Sequence, residues 1–234
     1  VVALTTSQVK NLTTAQLPGL NSKQISVLST DDIQVMSTSQ WVNLSTAQLK
    51  GLTTDQVVAL TTDQISNLKT AQLAALSAKQ IAAIETVDLV NLGTDQLAGL
   101  GTAQISALTT SQWGSLTTLQ VSKLGTAQIA ALVTAQVVSL STAQTANLTT
   151  SQIAALSTKA LAALQTDDLQ VLDTAQVNAL TSKQVAALTT DQVVALTTLQ
   201  LSNFSTSQLA ALSAKQVAAM KTVDLVALST AQLR

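Results

Sequence analysis

The chain repeats one pattern of apolar and polar residues every eight positions. A clean copy is VVALTTDQ, Val57–Gln64. Cut from Val1, the chain divides into 29 octads with Leu233 and Arg234 left over. Position 1 is Val, Leu or Ile except at Trp41, Trp113 and Thr145, and position 4 is Leu except at Met36, Ile84, Phe204 and Met220. Position 6 is Thr except at Ser22, Ala78, Ser182 and Ala214. Position 8 is Gln except at Asp32, Asp88, Ala160, Asp168 and Asp224. A short fixed period marks a solenoid, in which each unit buries its apolar face only against its neighbours.

A strand does not fit the octad, because period-2 alternation sends positions 1 and 4 to opposite faces. One continuous helix does not fit either. Eight residues at about 100° each turn about 800°, so an apolar stripe would precess by roughly 80° per octad. Ser/Thr pairs would also recur inside that helix, and these residues favour caps. The pattern therefore predicts a helix that stops and restarts in every octad. Positions 7, 8, 1, 2, 3 and 4 are expected to form it. Position 5 is Ser, Thr, Asn, Asp or Gly in 24 of 29 octads and position 6 is Ser or Thr in 27 of 29, so either can supply the N-cap. A cap at position 5 makes Ser/Thr-x-x-Gln a capping box. A cap at position 6 makes Gly93, Gly101, Gly125, Lys69 and Lys221 endings of the preceding helix.

So short a helix has little intrinsic stability and leaves most of its backbone groups unpaired. The recurring hydroxyls and amide are expected to satisfy those groups, at the corner or in the neighbouring turn. On a helical wheel position 4 lies between positions 1 and 8, and that face points inward. Positions 2 and 7 point out. Position 3 is mostly small, which lets adjacent turns approach closely.

A slower period runs through the substitutions. Asn at position 3 (Asn11, Asn43, Asn67, Asn91, Asn147, Asn203) recurs in steps of 4, 3, 3, 7 and 7 octads. Asp at position 8 recurs in steps of 7, 10 and 7. Steps of this kind fit about 3.4 octads per superhelical turn, or roughly 27 residues, where a two-helix hairpin solenoid would alternate odd with even. The expected fold is an all-α solenoid of very short helices, one per octad, spanning residues 1–234 as a single domain. Its length would be roughly 70–80 Å if successive turns lie about 8–10 Å apart. The first and last octads, VVALTTSQ and LVALSTAQ, are as apolar as those between them, and natural arrays cover such ends with polar capping repeats. The chain is therefore expected to be an excerpt of a longer polypeptide, or to associate end to end.

Composition narrows the chemistry. Net charge is −1 and 10% of residues are charged, so no basic patch exists to neutralise phosphates; nucleic acid is not an expected partner. Apolar runs are cut by Thr and Gln in every octad, so no membrane insertion is expected. His, Cys and Tyr are absent, which removes triads built on His or Cys. Asp31–Asp32 and Asp167–Asp168 are the acidic pairs, and Asp at position 8 reads as a helix N-terminal charge. Four Lys–Asp pairs nine residues apart (Lys23–Asp32, Lys79–Asp88, Lys159–Asp168, Lys215–Asp224) suggest a charged stripe or ion pairs along one edge. Trp41 and Trp113, at position 1, read as core filler. Pro18, inside LPGLNSKQ, costs the helix a hydrogen bond. No catalytic, cofactor-binding or metal-ligating residue emerges.

LTTDQVVAL, Leu52–Leu60, resembles the opening of a TAL-effector repeat over one short helix. The base-reading loop, the second helix and the basic charge of that family are missing, so DNA binding does not carry over. Over the whole chain, the tandem Leu-[Ser/Thr]-Thr-x-Gln-[Val/Ile/Leu]-x-Ala array resembles stretches of very large bacterial exported and surface proteins of the RTX or adhesin type. That resemblance implies an extended spacer or stalk, extracellular or at the cell surface. The expectation is a non-enzymatic structural module, a rigid spacer or self-assembling rod whose partners are flanking domains or its own copies. The alternative is a module that binds protein or polysaccharide through the exposed ladders at positions 2 and 7.

Overall fold

A computed structural model describes residues 4–233. Among them lie 27 α-helices of four to six residues and one 3-10 helix, Leu17–Gly19, with no strand. They fall into two compact units, residues 1–116 and 117–234, each an all-helical solenoid with one short helix per octad.

The local rule is the same in both. In the helix Thr38–Asn43 the N-cap is Ser37, at position 5, with extended backbone (φ −70°, ψ 156°). The Ser37 hydroxyl accepts from the Gln40 N–H, and the Gln40 Oε1 accepts from the Ser37 N–H at 2.7 Å, a closed capping box. The helix ends at Asn43, and Leu44 is already extended (φ −67°, ψ 137°). Two extended residues, positions 4 and 5, thus form each corner of this kind. Helices begin at position 6 and end at position 1, 2 or 3, so the expected span was one residue late at its start and too long at its end.

The same geometry corrects the alternative cap. Gly93, Gly101, Gly125, Lys69 and Lys221 do not end helices; each is an N-cap with φ between −73° and −64°. These residues offer no side-chain cap, and at Lys69, Gly93, Gly101 and Gly125 the bond to the position-8 amide makes one dispensable. It needs only a backbone N–H, which Gly93 supplies to Gln96 at 2.6 Å and Lys69 to Gln72 at 2.8 Å. The octad containing Pro18 is irregular as expected, with a 3-10 turn replacing its α-helix.

Position 1 side chains such as Ile33, Trp41, Ile105 and Val193 are completely buried, and position 4 leucines nearly so. Positions 2 and 7 face outward: Val58 is 45% exposed and Leu119 59%. Each helix packs on the helix three octads away, as Ala78–Ala82 does on Thr102–Ala107 and Thr126–Ala130 on Thr150–Ala155. The position-8 amides reach the end of the fourth helix back, so the winding falls between three and four octads, which brackets the expected 3.4. Small residues at position 3 permit this approach. A Cβ on Gly51 would overlap the Ser22 carbonyl, and one on Gly99 would overlap the Thr70 Cγ2. No described helix is long and apolar enough to cross a membrane.

Candidate functional site: the glutamine ladder between turns

The position-8 glutamines are the chemical feature that unites the array. From Gln40 onward these amides work in two directions, while Gln8, Gln16 and Gln24 close only their own corners. In Gln192 the Oε1 accepts from the Thr189 N–H at 2.9 Å, closing its own corner. The Nε2 donates to the Leu161 carbonyl at 2.9 Å and the Leu164 carbonyl at 2.8 Å, 31 and 28 residues earlier. Those carbonyls sit at positions 1 and 4, at the end of a short helix; the position-1 carbonyl has only the N–H three residues on as a local donor, and the position-4 carbonyl lies past the helix. Gln56, Gln80, Gln152 and Gln200 repeat the arrangement. With Gln192 2% exposed, these bonds lie away from water, where an unmade partner is costly. The ladder therefore joins one winding to the next. The position-3 asparagines act locally instead: Asn43 and Asn67 each donate to the carbonyl four residues back at 2.8 Å, capping their own helix.

Aspartate at position 8 loses the donor half of this device, and Asp32 keeps the acceptor half. The Ser29 N–H donates to Asp32 at 3.0 Å, as sequence reasoning expects for a helix N-terminus. What the sequence did not reveal is that Asp88 and Asp224 each accept from a Thr hydroxyl 26 residues earlier. Thr62 donates to Asp88 and Thr198 to Asp224, both at 2.6 Å. The four aspartates are buried, while Lys23, Lys79, Lys159 and Lys215 are exposed. The lysine and aspartate of each pair therefore do not share a face, and the expected charged stripe does not form. Asp31 and Asp167 also face outward, so neither acidic pair converges on one point. No described group of three or more Asp or Glu residues is placed to hold a metal ion.

Two of the aspartates respond oppositely to their surroundings. Burial pushes the Asp168 carboxyl above the usual carboxylate range; the Gln165 backbone N–H opposes this and the Asp167 charge adds to it. For Asp32 burial acts upward too, but bonds from the Ser29 and Thr6 hydroxyls and the Ser29 N–H hold it below that range. A raised folded value means that folding favours the neutral acid. The Asp168 contribution is thus full below about pH 3.8 and is lost as pH rises through the folded value. The Asp32 contribution is present above about pH 3.8 and is lost as pH falls through its lowered folded value. Asp168→Asn should therefore match the parent chain in strong acid and exceed its stability at neutral pH, whereas Asp32→Asn should fall below it there. Urea midpoints measured from acid to neutral pH check both signs.

The aromatic and odd residues of position 1 are packing elements. Trp41 and Trp113 are completely buried, as expected of core filler. Thr145 is also completely buried, and its hydroxyl has no hydrogen-bond partner. Thr145→Val removes that hydroxyl while keeping the shape, and should stabilise the chain by about 1–2 kcal/mol. A thermal melt reads this directly; an unchanged or lower midpoint would show that the hydroxyl is satisfied in solution.

These positions give meaning to a comparison with known families. The profile of the ALTTAQ repeat matches residues 1–38, 42–70, 81–118, 121–158 and 161–198 in tandem. The chain belongs to the ALTTAQ repeat family. The six letters fall on positions 3 to 8, so each ALTTAQ unit reads as one corner and its clamp. Ala allows close approach, Leu fills the axis, the first Thr caps, the second opens the helix, Ala faces solvent and Gln joins the windings. No curated protein matches the chain.

Proposed function

We propose that this ALTTAQ array is a non-catalytic structural module, a rigid spacer or stalk within a large exported bacterial surface protein. One observation carries the reading. Two of the three polar positions that define the repeat are consumed internally, Gln by corners and windings and position 5 by N-caps. The outward positions 2 and 7 are left with mixed Ala, Val, Ser, Asp and Lys, and no aromatic ladder. A glycan array and a protein pull-down with the full chain test this. The spacer reading expects no specific binding, and a specific micromolar ligand would replace it with the binding-module reading.

Self-association is a second reading, favoured by the packing of residues 206–233. Leu209, Leu212, Val217, Met220, Leu225 and Leu228 surround a cavity of about 480 Å³. They are position 1 and 4 residues, the layer that another winding of the same repeat covers elsewhere. Light scattering against concentration should show growing mass for the parent chain and a monomer for the double variant Val1→Lys, Leu225→Lys. Monomers in both cases would remove self-assembly.

A further inference from the structure

The ladder has one rung whose side chain stops short. Ala160 stands at position 8, 2% exposed, between Gln152 in the octad before it and Asp168 in the octad after. Its corner is otherwise built as in the intact rungs. Ser157 is the N-cap with extended backbone (φ −63°, ψ 153°), and its hydroxyl accepts from the Ala160 N–H at 3.1 Å. By the register of the ladder, the carbonyls facing this rung belong to Ile129 and Leu132, 31 and 28 residues earlier. The Ile129 carbonyl accepts the Leu132 N–H at 3.2 Å, as the position-1 carbonyls do at intact rungs. Among the described residues, no protein group hydrogen-bonds the Ser157 N–H or the Leu132 carbonyl. Between them lies a cavity of about 240 Å³ lined by Leu132, Val133, Thr134, Ser157, Lys159 and Ala160.

We propose that this cavity is a binding site for a primary carboxamide. The intact rungs define what fits: an oxygen for the N-cap N–H, and an NH2 group whose two hydrogens serve two carbonyls. At Gln192 those contacts measure 2.9, 2.9 and 2.8 Å. With Ala160 supplying only the Cβ, the missing fragment of a glutamine has the heavy atoms of acetamide. A carboxylate has no hydrogen for the Leu132 carbonyl, a ketone has none either, and a secondary amide has one where the site uses two. The carboxamide could come from a free small molecule or from a Gln or Asn side chain of another polypeptide, and the chemistry of recognition is the same.

The test titrates acetamide into the full chain and follows the Ser157 amide resonance and the melting temperature. A four-atom ligand has little binding energy to draw on, so saturation is expected at millimolar concentration or above. The Ser157 resonance should shift saturably, less with N-methylacetamide, and not with acetone. Ala160→Gln fills the site from within, so it should melt higher than the parent and lose the acetamide response. A tripeptide Ala-Gln-Ala that reproduces the shift assigns the source to a polypeptide side chain; a response to acetamide alone assigns it to small amides. The proposal is overturned if acetamide acts no differently from acetone, or acts equally on Ala160→Gln.

Discussion

Gln192→Leu is expected to lower the unfolding free energy by about 2–4 kcal/mol, although it replaces a polar residue with an apolar one of similar size in a buried place. The leucine leaves two backbone groups without partners, the Thr189 N–H and the Leu164 carbonyl, and leaves the Leu161 carbonyl with only the Leu164 N–H. The hydrophobic gain of the larger apolar surface offsets only part of this. Gln192→Glu separates the two halves of the device. It keeps the acceptor for Thr189 but turns a carboxylate toward two carbonyls, so its loss should be larger at neutral pH and shrink in acid. Chemical denaturation of the three chains across pH measures both effects. Equal stability of Gln192→Leu and the parent would mean that the amide is decorative.

Leu100→Ala should cost about 2–5 kcal/mol, the range for truncating a leucine in a packed core. Leu100 is 3% exposed on the axial face. Val58→Ala, at an outward position 45% exposed, should change stability by less than about 0.5 kcal/mol. Equal effects of the two substitutions in the same denaturation experiment would invert the inward and outward faces.

Much of this architecture is legible in the octad. The inward face of positions 1, 4 and 8 follows from helical spacing, and Ser/Thr-x-x-Gln already states half of the corner. What the residues left open was the cap itself. Positions 5 and 6 both carry hydroxyls, and side-chain chemistry does not distinguish them; the choice rests on the Gln Oε1, which reaches the N–H three residues back. The other half of each glutamine was not legible, because its partners are backbone carbonyls, alike at every residue. Asp32, Asp88, Asp168 and Asp224 could be placed near helix starts, but the Thr donors of Asp88 and Asp224, 26 residues earlier, depend on the winding. The Lys–Asp spacing misled for the same reason: residues nine apart lie on consecutive helices, one facing out and the other in. Ala160 is a position-8 exception in the sequence, and the cavity beside it depends on the winding.

The register between windings is the central claim, and a paired-cysteine experiment tests it most directly. The chain has no cysteine, so introduced thiols are the only ones present. A Cβ at residue 99 would overlap the Thr70 Cγ2, which places the two Cβ atoms within about 4 Å, the separation a disulfide spans. Under mild oxidation, Thr70→Cys with Gly99→Cys should form an intramolecular bond in nearly every molecule. Thr70→Cys with Ala107→Cys, one octad out of register, should form little. Failure of the first pair to close, or equal closure of both, would contradict the winding and the glutamine ladder that depends on it.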